Sequence, residues 1–390
     1  MKKKYKTSVC IIIVIISALL TTSCMTFDTR NPDQLSEFID TKLQQAGIPG
    51  TAVSIIRNNK IDYSRGFGYA DIEKSIEASP YTLFMIASIS KTVTAAAFLT
   101  LYDKGLVDLD DDINRYLPFP VRNPFHPEEP ITFRMLLTHT SSIRDNWEIY
   151  DSLYTLEKGG DSPISLEAFS RGYLTEEGNL YQKRKNFYRA APGMKFGYSN
   201  CGFALLGYCI EEIAGMPFNI YCRKVIFNPL DMEFSAWLLA EISIPYIAMP
   251  YGRDEKTFQP EPIGHYGFAT YPDGQLRTSV LEYSKFLLAV MNGGEYKGTR
   301  ILSSETAEEM LRIQHAAANA KQALAWQYIS LYGRKIPSHS GGDPGVLTMT
   351  AFDPEGKSGF VIFSNSTPQE RKETKAVFSL YNKLIYSITH

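Results

Sequence analysis

Ser88-Ile89-Ser90-Lys91 is the single S-x-x-K tetrapeptide in this chain. On a helix, residues i and i+3 share a face about one turn apart, so Lys91 can reach the Ser88 hydroxyl. The stretch that follows, 92–102 (TVTAAAFLTLY), carries no charge, and a helix that is apolar all round is a buried one. With Ser88 at its opening, the hydroxyl stands at the positive helix end, which favours an alkoxide or oxyanion. Burial disfavours an ammonium, so Lys91 is expected to have the lowered pKa that a lysine base requires. In isolation the pattern is short, and its plainer reading is an N-capping serine followed by a solvent-facing lysine. Ser90 is a rival nucleophile, but a neighbour at i−1 does not face Lys91.

Tyr198-Ser199-Asn200 is likewise the single Y-x-N. It follows Ala191-Pro192-Gly193 and precedes an apolar run from Cys201, which places it on a loop leading into a helix. A phenol near a lysine can pass a proton to a leaving group, and an amide can orient a substrate carbonyl. Alone, it reads as a helix-start asparagine beside a packed tyrosine. His339-Ser340-Gly341-Gly342 stands at the edge of the C-terminal strands. Glycines there let a substrate backbone approach, and backbone N–H groups can hold an oxyanion. Lys357-Ser358-Gly359 fits a similar basic-hydroxyl-glycine pattern, but it follows the turn 353–356, and a lysine at a hairpin tip faces solvent.

Taken together, the three motifs resemble the serine penicillin-recognising enzymes: class C β-lactamases, D-Ala-D-Ala carboxypeptidases, and related esterases and D-amino-acid peptidases. Their order and wide spacing (88, 198, 339) are similar to class C. The flanks match as well: 136–141 (LLTHTS), 192–200 (PGMKFGYSN) and 351–365 (AFDPEGKSGFVIFSN). The resemblance covers about 33–388. It implies an α/β (α+β) β-lactamase/transpeptidase-like fold, with an antiparallel sheet flanked by helices and an inserted, mostly helical lobe. It also implies Ser88 as the acylated nucleophile, Lys91 as its proton acceptor, and Tyr198 as the proton donor to the leaving group. Asn200, His339, Ser340, Gly341 and Gly342 would bind substrate, and the Ser88 and Gly342 N–H groups would form the oxyanion hole. The implied substrate is a small molecule or peptide, a D-Ala-D-Ala-type peptide or a β-lactam, with no metal or cofactor. An esterase, a D-amino-acid peptidase or a non-hydrolytic cell-wall-peptide sensor on the same scaffold are the alternatives.

Two departures from the family pattern stand out. His339 occupies the place where class C enzymes usually carry lysine, and imidazole holds a carboxylate less firmly than an ammonium does. Ser142 follows T-S where relatives usually have glycine, which is expected to change a turn. His139, in LLTHTS, is expected to be structural.

These residues need a scaffold, and the composition supplies one. Of 390 residues, 44% are hydrophobic and 21% charged, which excludes wholesale disorder. A net charge of −2 argues against general nucleic-acid binding. Lys2, Lys3, Lys4 and Lys6 precede an apolar run over 10–20 and then Thr21-Thr22-Ser23-Cys24. That is the layout of a secretory signal (1–23), and its end resembles a bacterial lipobox that would lipidate Cys24 and tie the protein to a membrane in the cell envelope. The departure there is Thr21, where the lipobox prefers leucine. Loss of 1–23 removes four lysines and no acid, leaving a net charge of −6. Cys201, Cys209 and Cys222 remain, and burial as small hydrophobes suits them better than a disulfide.

After a tether at 24–32, apolar spacing predicts a helix over 33–46 and a hairpin of strands 51–56 and 61–70. The chain from 88 to about 290 reads as mostly helical, and strands return at 323–331, 346–352 and 359–364 before a closing helix over 368–387. A mixed lobe (33–87 and 291–390) would then carry an inserted helical lobe (88–290). The aromatic stretch 147–188 either folds over the site or packs as its own surface subdomain.

Overall fold

The computed structural model describes residues 28–390; the expected leader, Cys24 and the first part of the tether lie outside the described residues. Helix α1 spans Pro32–Ala46. Asn31 caps it by accepting the Asp33 and Gln34 N–H groups, Pro32 stands at its first position, and Gly47 ends it with φ 61°. Strands β1 (Gly50–Arg57) and β2 (Lys60–Asp71) pair antiparallel. The Asn58-Asn59 turn between them has φ of 51° and 62°, the sign that two-residue hairpin loops favour and asparagine tolerates.

Strand β3 (Ile76–Glu77) follows, and β4 (Gln327–Leu331), β5 (Arg334–Asp343), β6 (Val346–Asp353) and β7 (Ser358–Ser364) complete one seven-stranded sheet. Its order is β4-β5-β6-β7-β1-β2-β3, antiparallel throughout. Side chains of β1 alternate between two cores. Val53 and Ile55 join Leu35, Ile39 and Leu43 of α1 and Leu380 and Leu384 of the closing helix. Ala52 and Ile56 face the larger core. Helix Val280–Met291 packs on that second face, where Ser284 Oγ donates to Ser54 Oγ at 2.9 Å.

Helix α2 (Ser90–Asp103) is buried from Ser90 to Leu101, as its uncharged sequence predicts. Helix α3 (Asn200–Ala214) lies against it in the larger core, and Cys201, Cys209 and Cys222 are free and buried there.

Two strand expectations need correction. The strand expected over 323–331 begins only at Gln327, because 323–326 form a tight buried turn: Ala323 N–H donates to Trp326 O, and Ala325 has φ 64°. Strand β5 is a full ten-residue strand, although Pro337, Ser338, Gly341 and Gly342 are poor strand formers. Pairing on the sheet overrides that preference. The closing helix runs over Arg371–Thr389.

Candidate active site

The chain enters the site through a short ribbon, Phe84–Met85 paired with Arg277–Thr278. Ile86 N–H then donates to Leu276 O at 2.9 Å, and Ala87, with φ 47°, turns the chain so that Ser88 falls in a single 3-10 turn just ahead of α2. Gly341 of β5 lets this turn approach the sheet: a Cβ there would stand 2.6 Å from Ile86 O and 2.4 Å from Thr348 Oγ1. Thr348 Oγ1 donates to that same Ile86 carbonyl at 2.8 Å. The rival hydroxyl, Ser90, is fully buried and accepts Leu276 N–H.

Lys91 is fully buried, and its three N–H donors are all engaged. They go to Ser88 Oγ at 3.2 Å, Asn200 Oδ1 at 2.7 Å and Asp273 O at 2.7 Å, with Asp273 Oδ1 a further 3.7 Å away. Burial by itself pulls the lysine pKa down, but Tyr198, Asp273 and Asp145 outweigh it and leave the pKa raised. This reverses the direction expected from burial alone. Tyr198 lies over the ammonium, 5.0 Å from ring centroid to Nζ. Its own pKa is raised by burial, against the lowering effect of Lys91 and of a hydrogen bond with Ser88, so the phenol keeps its proton at neutral pH.

The loop carrying Tyr198 is held by 139–145. His139 O accepts Gly197 N–H and Thr140 O accepts Gly193 N–H, both at 2.8 Å, so LLTHTS and PGMKFGYSN are physical partners. The His139 ring stacks on Tyr198 at 4.1 Å, and its Nδ1 accepts Ser199 N–H at 3.1 Å. Burial holds His139 well below its ordinary pKa, so it is neutral, as its expected structural role requires. Asp145 closes the loop by accepting Ser199 Oγ–H at 3.0 Å, Asn200 N–H at 2.9 Å and Cys201 N–H at 3.0 Å. Ser142 adopts φ 67°, the left-handed backbone that glycine favours.

On the far wall, the pairing of β4 with β5 ends at Ser338, so His339–Asp343 pair only with β6 among the sheet strands. A Cβ on Gly342 would meet nothing within 4 Å, and this position faces open space. His339 Nδ1 lies 2.8 Å from Ser340 O, which can only accept, so Nδ1 carries the proton. Burial and Lys91 press its pKa down to about 3. The imidazole is therefore neutral, with a lone pair on a buried Nε2 that has no partner among the described residues. Lys357 is exposed in the β6–β7 turn, away from this wall.

Sequence reasoning missed three acids of the site, Asp145, Asp273 and Asp343. Asp273 accepts the Tyr150 hydroxyl at 2.9 Å and Asp343 accepts the Tyr154 hydroxyl at 2.6 Å. Burial raises Asp273 to about 6 and Asp343 to about 7. Isolated acids in loops carry no spacing signal; the one available hint was Asp343 directly after the H-S-G-G string. The aromatic stretch divides between its two readings. Tyr150 and Tyr154 reach the site, whereas Tyr173 and Phe187 pack in the core beneath it.

A hydroxyl, an amine and a phenol in mutual contact beside an unpaired strand edge can carry out nucleophilic acyl transfer. The family model for Beta-lactamase matches residues 35–380, and the chain belongs to this family of serine hydrolases. Protein flp of Staphylococcus aureus (strain MRSA252) is 30% identical over 204 residues, which is 52% of this chain and 38% of that protein, well under half its length. The octameric penicillin-binding protein homologue from Pyrococcus abyssi is 26% identical with a TM-score of 0.71, over 91% of this chain and 77% of that one. The D-amino acid amidase from Ochrobactrum anthropi SV3 shares the fold at 21% identity and a TM-score of 0.71, over 91% of this chain and 99% of that one.

Proposed function

We propose that the chain is an exported serine hydrolase, lipid-anchored at Cys24, that works through an acyl-enzyme at Ser88 on D-Ala-D-Ala-type peptides or β-lactams. The observation that carries the reading is Lys91 Nζ, which bonds Ser88 Oγ and Asn200 Oδ1 at once and so joins the first two motifs in one site. Acylation proceeds from the fraction of enzyme in which Lys91 is neutral. The amine takes the Ser88 proton while Oγ bonds to the acyl carbon. Tyr198 gives its phenolic proton to the leaving group and is reprotonated from Lys91. Asn200, with its oxygen held by Lys91, presents its amide nitrogen to a substrate carbonyl. The Ser88 and Gly342 N–H groups receive the oxyanion, and the free edge of His339-Ser340-Gly341-Gly342 aligns the substrate backbone.

A second reading, an ester or amino-acid amide as substrate, is favoured by the charges of the far wall. His339 is neutral and Asp343 is an acid, so a carboxylate on the leaving group finds no cation along His339–Asp343 of β5. The test is covalent labelling by a fluorescent penicillin and by a fluorophosphonate, with the adduct located by mass spectrometry, followed by turnover of nitrocefin, a D-Ala-D-Ala peptide, a D-amino-acid amide and p-nitrophenyl esters. Labelling at Ser88 that disappears in Ser88→Ala, with an unchanged melting temperature, is expected. Failure of both probes to label Ser88 would sink the mechanism.

A further inference from the structure

We propose that Asp273 is a positioning residue for Lys91: its carboxylate, held by the Tyr150 hydroxyl, keeps Lys91 an ammonium in the resting enzyme and thereby sets the pH at which Ser88 becomes reactive. The inference rests on the acyl-enzyme reading and adds a residue that the three motifs do not contain.

Asp273 ends a 3-10 turn, Tyr271–Asp273, that is wedged between the two central helices. On one side Thr94 Oγ1 of α2 donates to Pro272 O at 2.6 Å, and Lys91 of the same helix donates to Asp273 O at 2.7 Å. On the other, Pro272 lies so close to α3 that a Cβ on Gly207 would stand 2.4 Å from its ring. Tyr150 takes Oδ2 at 2.9 Å, and Thr270 Oγ1 donates to that hydroxyl at 3.4 Å. The remaining oxygen, Oδ1, faces Lys91 Nζ at 3.7 Å, within ion-pair distance but too long for a hydrogen bond.

That geometry separates holding the lysine from charging it. The three N–H groups of Lys91 are satisfied by Ser88, Asn200 and the backbone carbonyl of residue 273, none of which needs a carboxylate. What the side chain of Asp273 contributes is therefore charge. The other titratable groups around Lys91 act differently. His139 and His339 are buried and neutral, and Tyr198 keeps its proton. Asp145 is bound by the N-terminal N–H groups of α3, and Asp343, with a pKa of about 7, is only partly ionised at neutral pH. Asp273, at about 6, is mostly ionised there and is the carboxylate within ion-pair distance. Before Ser88 can pass its proton to the amine, Lys91 must release its own to solvent, and a carboxylate at this distance opposes that release.

The rate at which a fluorophosphonate labels Ser88, followed by intact-protein mass from pH 5 to 11, reads this directly. In the unaltered protein, labelling should climb with pH along a limb set by Lys91. Asp273→Asn keeps the carbonyl and an acceptor for Tyr150, and should move the midpoint of that limb down by about 1–3 pH units, the shift typical of a close opposite charge. Labelling at pH 7 should then be about tenfold faster or more. Tyr150→Phe, which leaves Asp273 ionised throughout that limb, should leave its midpoint in place. Coincident profiles for the unaltered protein and Asp273→Asn, or a uniform loss of rate with an unmoved midpoint, overturn the proposal. Should Asp273→Asn not fold, an unmoved midpoint in Asp273→Ala overturns it. No labelling of Ser88 at any pH in the unaltered protein overturns the acyl-enzyme reading itself and this inference with it.

Discussion

Two walls of the same cleft bury aspartates, and they treat them in opposite ways. On the α3 side, Asp145 receives two backbone N–H groups from the helix start and the Ser199 hydroxyl. The carboxylate completes donors that a helix N-terminus otherwise leaves open. Asp343 at the end of β5 and Asp273 in the turn wedged between α2 and α3 rest instead on side-chain hydroxyls, Tyr154 for Asp343 and Tyr150 with Thr270 for Asp273. Burial raises the pKa of all three acids, but only at Asp145 does a set of backbone donors oppose it. A buried carboxylate among backbone donors holds a loop in place, whereas one held by a phenol remains able to titrate and to act on its neighbours.

Breaking the first wall has the largest expected effect. Asp145→Ala strands three buried donors at the start of α3, which should lower stability by about 3 kcal/mol, with each orphaned group costing about 1–3 kcal/mol. Because Tyr198 and Asn200 sit on that loop, Ser88 labelling should fall along with the melting temperature. A melting temperature within error of the unaltered protein would show that the contrast between the walls is not energetic.

The second wall predicts the opposite sign. The carboxyl of Asp343 titrates at about 7 in the folded chain against about 3.9 in an unfolded one. Between roughly pH 4 and 7 the folded state therefore binds more protons, and this group's contribution to stability falls as pH rises through that window. Asp343→Asn keeps an acceptor for Tyr154 and removes the charge. It should be more stable than the unaltered protein at pH 8, by about 1 kcal/mol or more, and show no gain at pH 4. Thermal melts at the two pH values decide it, and equal differences at both would refute the buried-charge account.

The smallest effect is expected at Ser142, in the segment that carries Asp145. Ser142→Gly relieves a left-handed backbone, and the Asn123 Nδ2 that bonds Ser142 Oγ keeps the Tyr188 and Ala190 carbonyls. A gain within about 1 kcal/mol is expected in chemical denaturation. A loss would mean that the Asn123 bond outweighs the strain.

Much of this site could be read along the chain because its members sit in short strings. Ser88 and Lys91 share a helix face by spacing alone, and the uncharged run behind them implied burial. The LLTHTS and PGMKFGYSN stretches stood out by resemblance, but that each hydrogen-bonds the other was visible only after folding. Strand β5 was hidden because Pro337, Ser338, Gly341 and Gly342 argue locally against a strand, and cross-sheet pairing has no local signature.

The sequence by itself determined which groups are chemically competent: one hydroxyl a turn from one lysine, a phenol with an amide, and a glycine-rich edge. The tertiary structure decided their charge. Asp145, Asp273 and Asp343 are separated in sequence by 128 and 70 residues, yet their carboxylates act on one another and on Lys91. Burial of a lysine can be inferred from an apolar run, because it depends on near neighbours along one helix. The sign of its pKa shift depends on distances between charges, and those exist only once the chain has brought its distant parts together.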